Sequence, residues 1–232
     1  TALKSHPVFN DSKAEAFAGR LLGALNNSAL VLMTSIGHRT GLFDHLAEIS
    51  PCTSGALAAE AGLAERYVRE WLAAQAASGY AQYDPATQRY DLSPEQAMAL
   101  ADESSPAYVP GAYLIAASMF KDEPQIAAAF RSGKGMGWHE HHADLFTGVE
   151  RLFKPGYLAN LVSAWIPALA AGVEDRLRSG ARVADLGCGH GASTILLAEA
   201  YPASEIVGYD YHRASVEVVA TAAPPASDLI IT

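Results

Sequence analysis

Apolar residues recur at three- and four-residue spacing through "AEAFAGRLLGALNNSALVLMTSIG", so residues 12–36 read as one long helix. The region of Gly41 breaks it, and "LFDHLAEIS" follows as a short helical segment. Thr53 or Ser54 is placed to cap the next helix, "GALAAEAG", and Gly62 turns the chain after it. "LAERYVREWLAAQAASG" is a longer helix whose apolar face holds Tyr67, Val68, Trp71, Leu72 and Ala76, with Gly79 as its stop. In "YAQYDPATQRYDLS" the period falls to two on either side of Asp84-Pro85, the mark of a hairpin. From 94 to 180 the pattern is mostly helical, with "YVPGAYLIAASMF", "EPQIAAAFRSG" and "VERLFKPGYLANLVSAWIPALAAGVEDRLRSG" punctuated by Pro and Gly. Between them "KGMGWHEHHADLFTG" reads as a loop bordering a pocket. At residue 181 the pattern changes again. "ARVADLG" is a strand, "GASTILLAEAYP" a helix, "EIVGYD" a strand and "HRASVEVVATAA" a helix, a βαβ unit that implies a parallel sheet.

Helix, turn, helix and hairpin in this order make a winged helix-turn-helix pattern, which serves either DNA binding or a scaffold and dimerisation role. Charge separates the two. The 232 residues carry 16 Lys plus Arg against 25 Asp plus Glu, a net charge of −9. Between Ala14 and Phe120 there is no Lys, five Arg and eleven Asp plus Glu. The second helix of the motif offers Glu65, Arg66, Arg69 and Glu70, with no net positive charge. This balance speaks against nucleic acid and anionic membrane as partners and for the scaffold reading. The apolar runs "SALVLM" and "AYLIAASMF" are far shorter than the ~20 residues that span a bilayer. "TALKSHPVFNDSKAEAF" shows no secretory pattern. The two cysteines, Cys52 and Cys188, form no CxxC pair, so the expectation is a soluble, cytoplasmic protein without a disulfide framework.

The chemistry concentrates in "RVADLGCGHGAST". Glycines at 187, 189 and 191 follow a strand and open a helix, the context in which such a turn holds a nucleotide. Asp210 ends the next strand, 19 residues beyond Gly191, where a carboxylate accepts from both hydroxyls of a ribose. Two cofactors fit that outline. A dinucleotide would bring its pyrophosphate against Asp185, which would repel it. S-adenosylmethionine brings an ammonium and a sulfonium instead, so Asp185 favours it.

At these residues "VADLGCGHGAST" resembles motif I of the class I S-adenosylmethionine-dependent methyltransferases, and "IVGYD" resembles their acidic second-strand motif. The order of a winged-helix-like domain, then "GWHEHHADLFTGVERLFKPGYLANLVSAWIPAL", then motif I is similar to that of bacterial small-molecule methyltransferases whose N-terminal domains dimerise. The resemblance implies that Gly187, Cys188 and Gly189 line the methionine part of the cofactor. It implies that Asp185 holds the amino group, that Asp210 holds the ribose, and that Tyr211 lies near the adenine. Cys188 then serves as a small residue rather than a reactive thiol. His139, Glu140, His141 and His142 are the candidates for a general base, in a loop that reads either as ordinary surface or as a substrate-pocket wall. Their spacing forms no zinc-site pattern, so no metal is expected. His38 and His45 read as packing or surface residues, and Trp71, Trp138 and Trp165 as core or interface anchors.

The expected fold class is α/β: a mainly helical, winged-helix-like N-terminal domain (1–100), a helical linker and substrate-pocket region (101–180), and a truncated Rossmann-like methyltransferase domain (181–232). Only two strands and a possible third, "SDLIIT", follow residue 181, and that third resembles the family's fourth strand. The expected function is a methyltransferase, homodimeric, acting on a small molecule. Cofactor binding and activity are expected to be weak or lost where so little of the sheet is present. The competing readings are a winged-helix transcriptional regulator, a nucleotide-binding dehydrogenase and a dimerising remnant without catalysis.

Overall fold

Asn10 opens the first helix: its side chain accepts the backbone N–H of Lys13 at 3.0 Å, which caps α1 (Asp11–Arg39). The computed structural model describes residues 9–222 and 230–231. Residues 1–8, the first part of the segment read for a secretory signal, lie outside them. Only the last turns of α1 are packed; Phe17, Leu21, Leu22, Leu25 and Leu32 are all more than half exposed. The helix is longer and more continuously apolar than the short runs implied, and by length and composition alone it is able to cross a bilayer.

Beneath the end of α1 lies the winged-helix core. Gly41 takes a left-handed turn into α2 (Leu42–Ile49), and Thr53 caps α3 (Ser54–Ala61), whose end is closed by left-handed Gly62. Phe43, Leu46 and Leu57 then pack on Val68, Trp71 and Leu72 of α4 (Glu65–Ala77), all at most 2% exposed. The Trp71 indole N–H donates to the carbonyl of Met33 at 2.9 Å, fixing α1 across this core. The buried face of α4 differs from the expected one: Tyr67 is 77% exposed, and Gln75 is wholly buried in the stripe. The wing is β1 (Gln82–Asp84) antiparallel to β2 (Arg89–Asp91), and Asp84 accepts from the Ala86 N–H and the Thr87 hydroxyl to form its turn.

Capped by Ser93, α5 (Pro94–Leu100) leads to α6 (Pro110–Ser132). The two helices read around residue 120 are one. Pro124 sits inside α6, and the carbonyl its missing N–H frees belongs to exposed Phe120, where water can reach it. The polar-aromatic loop also ends sooner than expected. His142 accepts the Asp144 N–H at its Nδ1, so α7 (Ala143–Asn160) starts inside the stretch read as loop. Asp144 in its first turn takes both Arg39 and Lys121, tying the end of α1 and the middle of α6 to α7. α6 and α7 cross closely because Gly111 faces Gly148: a Cβ on Gly111 would lie 2.3 Å from the Leu152 nitrogen.

After a π-helical turn (Leu161–Trp165) the expected long helix is interrupted until α8 (Val173–Ser179). Then come β3 (Arg182–Leu186), α9 (Ala192–Ala200), β4 (Glu205–Tyr209), α10 (Arg213–Ala222) and β5 (Ile230–Ile231). β3 and β4 are parallel, registered from Arg182↔Glu205 to Leu186↔Tyr209, over a second core of Leu177, Leu197, Tyr201 and Ile206. The sheet order is β3-β4-β5. "SDLIIT" is therefore not a fourth strand, which in a doubly wound sheet lies beside the first. It pairs with the second strand, as a third strand does. The rest of that stretch, 227–229 and 232, lies outside the described residues, as does 223–226.

Two predictions follow from the packing. Gly111→Ala forces α6 and α7 apart and lowers stability by about 1–3 kcal/mol in urea titration. His38 is buried against Phe43 with Nε2 unpartnered, and burial, then the charge of Arg151, lowers its pKa to about 3. The unfolded chain takes up this proton near pH 6.5 and the folded protein does not, so the contribution is full above that pH and is lost as pH falls toward 3. Against a His38→Gln variant, the wild type is expected to lose up to ~1.4 kcal/mol per pH unit below about pH 6.

Candidate functional site

β3 delivers the chain into a turn in which Gly187, Gly189 and Gly191 all have positive φ, at 75°, 55° and 73°. The Gly187 and Cys188 N–H groups both donate to the carbonyl of Tyr209, at 2.7 and 3.1 Å, which holds the turn to the end of β4. The glycines do different work. A Cβ on Gly191 would strike Val219 of α10 at 2.6 Å, whereas nothing stands within 4 Å of the Cβ positions of Gly187 and Gly189. Gly191 serves packing, and the other two leave an open floor of backbone.

Two carboxylates frame that floor. Asp185 Oδ2 accepts from the hydroxyls of Ser193 and Thr194, each at 2.7 Å, which aims the carboxylate at the start of α9. Asp210 accepts the Gly189 N–H on Oδ2 and the His212 N–H on Oδ1, both at 2.8 Å. It thus stitches the turn after β3 to the turn after β4. Burial first, then Asp185 and Asp210, raise the pKa of the Cys188 thiol, which keeps it protonated.

Opposite the turn stands α7. Phe146, Glu150, Phe153 and Tyr157 form one wall of a cavity of about 280 Å³, Trp138 adds to it, and Asp185, Gly187–Gly189, His190 and Asp210 form the other. Across the cavity His190 Nδ1 meets Glu150 Oε2 at 2.8 Å. That hydrogen bond outweighs the burial of Glu150 and lowers its pKa.

Asp185, Gly187, Cys188, Gly189 and Asp210 are thus brought together around one cavity, while Tyr211 is 69% exposed outside its lining, its ring edge-on to His139 at 6.1 Å. The histidine loop is divided. Asp122 of α6, 3% exposed, binds His141 Nδ1 at 2.8 Å and accepts the His142 N–H at 3.0 Å. His142 caps α7. Of this loop it is Trp138, edge-on to Phe146, that lines the cavity. Trp71 is core, whereas Trp165 is 47% exposed. Sequence reasoning passed over His190, Glu150 and Asp122. His190 stood in the glycine motif itself, between Gly189 and Gly191; Glu150, 40 residues upstream, carried no local signal. Elsewhere, His45, Glu48 and Glu60 have donor atoms within 4.8 Å of one another on α2 and α3, outside the cavity.

Two family models match separate stretches of the chain. The family model of the Rv2258c-like winged HTH domain matches residues 28–102, and that of a methyltransferase domain matches residues 177–223. No curated protein matches the chain by sequence. Among solved structures, the mitomycin 7-O-methyltransferase MmcR is similar at 17% identity and a TM-score of 0.63, over 92% of this chain and 63% of that one. Human N-acetylserotonin methyltransferase, in complex with S-adenosylmethionine, is similar at 18% identity and a TM-score of 0.61, over 93% of this chain and 65% of its own. A methyltransferase of calicheamicin biosynthesis, in its S-adenosylhomocysteine-bound form, has 18% identity and a TM-score of 0.55, over 97% and 67%. The chain thus spans about two thirds of the length of the structures it resembles.

Because Asp210 supplies the acceptors for two turn amides, Asp210→Ala is expected to speed hydrogen exchange at Gly189 and His212 about tenfold or more, with exchange in α4 unchanged.

Proposed function

Since the chain joins an Rv2258c-like winged HTH domain to a methyltransferase domain, we propose that it belongs to an S-adenosylmethionine-dependent methyltransferase acting on a small molecule. The observation that carries this reading is the open glycine floor framed by two carboxylates. Side chains at 187 and 189 would fill the space in which the cofactor's methionine part would lie. Asp185 has Oδ1 left for an ammonium, since its hydroxyl partners both use Oδ2. Each oxygen of Asp210 accepts one N–H and keeps a lone pair for a ribose hydroxyl. The acids suit a cationic ligand and oppose a pyrophosphate.

The cofactor, when bound, supplies a methyl group on a sulfonium. The residues of this chain supply the setting. Trp138, Phe146, Phe153 and Tyr157 give the cavity an aromatic wall that excludes water and packs an acceptor against the turn. Asp122 locks His141 and His142, which holds Trp138 in that wall and leaves His139 beside Tyr211 outside the lining. In this reading His141 and His142 act on the acceptor side by positioning Trp138, and His139 stands outside it.

The winged helix serves assembly. Arg66 and Arg69 are engaged by Glu70 and Glu65 on their own helix, which leaves little charge for a phosphate backbone. Phe17, Leu21, Leu25 and Leu32 form an exposed apolar stripe along α1, the natural seam of a homodimer in the cytoplasm.

Two measurements test these statements. S-adenosylhomocysteine is expected to raise the melting temperature by a few degrees at saturation, and NADH to leave it unchanged; the reverse pattern overturns the assignment. Sedimentation equilibrium is expected to give a dimer that Leu25→Glu converts to a folded monomer, and a wild-type monomer removes the proposed seam.

A further inference from the structure

The amino-acid end of the cofactor presents a problem that the cavity answers with one side chain. That end carries an ammonium and a carboxylate. The cavity lining offers carboxylates from Asp185, Asp210 and Glu150, all suited to the ammonium. His190 is the one side chain in that lining able to carry positive charge. It is 10% exposed, and its Nδ1 is committed to Glu150 at 2.8 Å. The opposite ring nitrogen, Nε2, has no hydrogen-bond partner among the described residues.

Resting on the methyltransferase reading above, we propose that His190, oriented by Glu150, binds the α-carboxylate of the cofactor's methionine part. With Nδ1–H on Glu150, the imidazolium form of the ring presents Nε2–H as a charge-assisted donor to a second anion. The site adds donors of its own. Gly191 is a left-handed N-cap without a side-chain hydrogen bond, and Ala192 and Ser193, the first residues of α9, line the same cavity. The opposing charges are those of Glu150, Asp185 and Asp210, the last already accepting two backbone N–H groups. The ionised Glu150 is balanced by His190, with Lys154 and Arg151 also acting on it, and Asp185 is held by two hydroxyls at the start of α9. His190 also follows Gly187–Gly189 in the chain, the backbone assigned to the methionine part.

The test is a comparison of ligands that needs no methyl acceptor. Calorimetry would measure S-adenosylhomocysteine and S-adenosyl-3-thiopropylamine, its counterpart without the carboxylate, on wild type, His190→Asn and Glu150→Gln. Wild type is expected to prefer the carboxylate ligand about tenfold to a hundredfold. His190→Asn is expected to erase most of this preference while binding the decarboxylated ligand as wild type does, which also shows that it is folded. Glu150→Gln is expected to reduce the preference to an intermediate value. If wild type binds neither ligand, the cofactor site does not function in this chain and the assignment of His190 is overturned. If wild type binds both but His190→Asn loses them equally, or keeps the preference, the reading stands and the role of His190 is overturned.

Discussion

Everything in the cavity depends on how closely α7 is held. Gly111 and Gly148 let α6 and α7 cross backbone to backbone, and a methyl at either position would meet main-chain atoms within 3 Å. Asp144 then clamps the first turn of α7 to Arg39 and Lys121. These two constraints set where Phe146, Glu150 and Phe153 stand, and with them the distance from the aromatic wall to the glycine turn. The winged helix is therefore part of the site although none of its side chains lines the cavity. It anchors α1, whose end anchors α7.

The turn itself is held by a different logic, from the strand ends. Tyr209 offers one carbonyl to two successive amides, and Asp210 reaches back to a third. The adjacent strand thus specifies the shape of the turn, and Cβ-free backbone at 187 and 189 is a consequence of what must lie over it. The acids have double duties. Each satisfies local donors and still has acceptor capacity, so the site is preorganised by the groups that would meet the ligand.

Local physics made much of this legible. Periodicity found the helices of the winged domain, Thr53 and Gly62 marked one helix at both ends, and Asp84-Pro85 placed the hairpin. The glycines, Asp185 and Asp210 announced the turn before any coordinates, because strand, turn and helix must follow in that order for the backbone to open. Legibility failed wherever the answer lay in a distant partner. Tyr67 and Gln75 exchanged places on α4, since period identifies a stripe but not which flank meets the core. Pro124 looked like a break and is an interior residue, because its cost depends on whether the freed carbonyl meets water. The placement of "SDLIIT" depended on pairing across the sheet, which no short stretch encodes. Glu150 meets His190 only because α6 and α7 cross where they do.

The Cys188 thiol carries a last consequence. Sulfur reacts as thiolate, and this one is kept protonated by burial and by two acids. Oxidants and alkylating agents that consume exposed cysteines therefore find a poor target at the centre of the site.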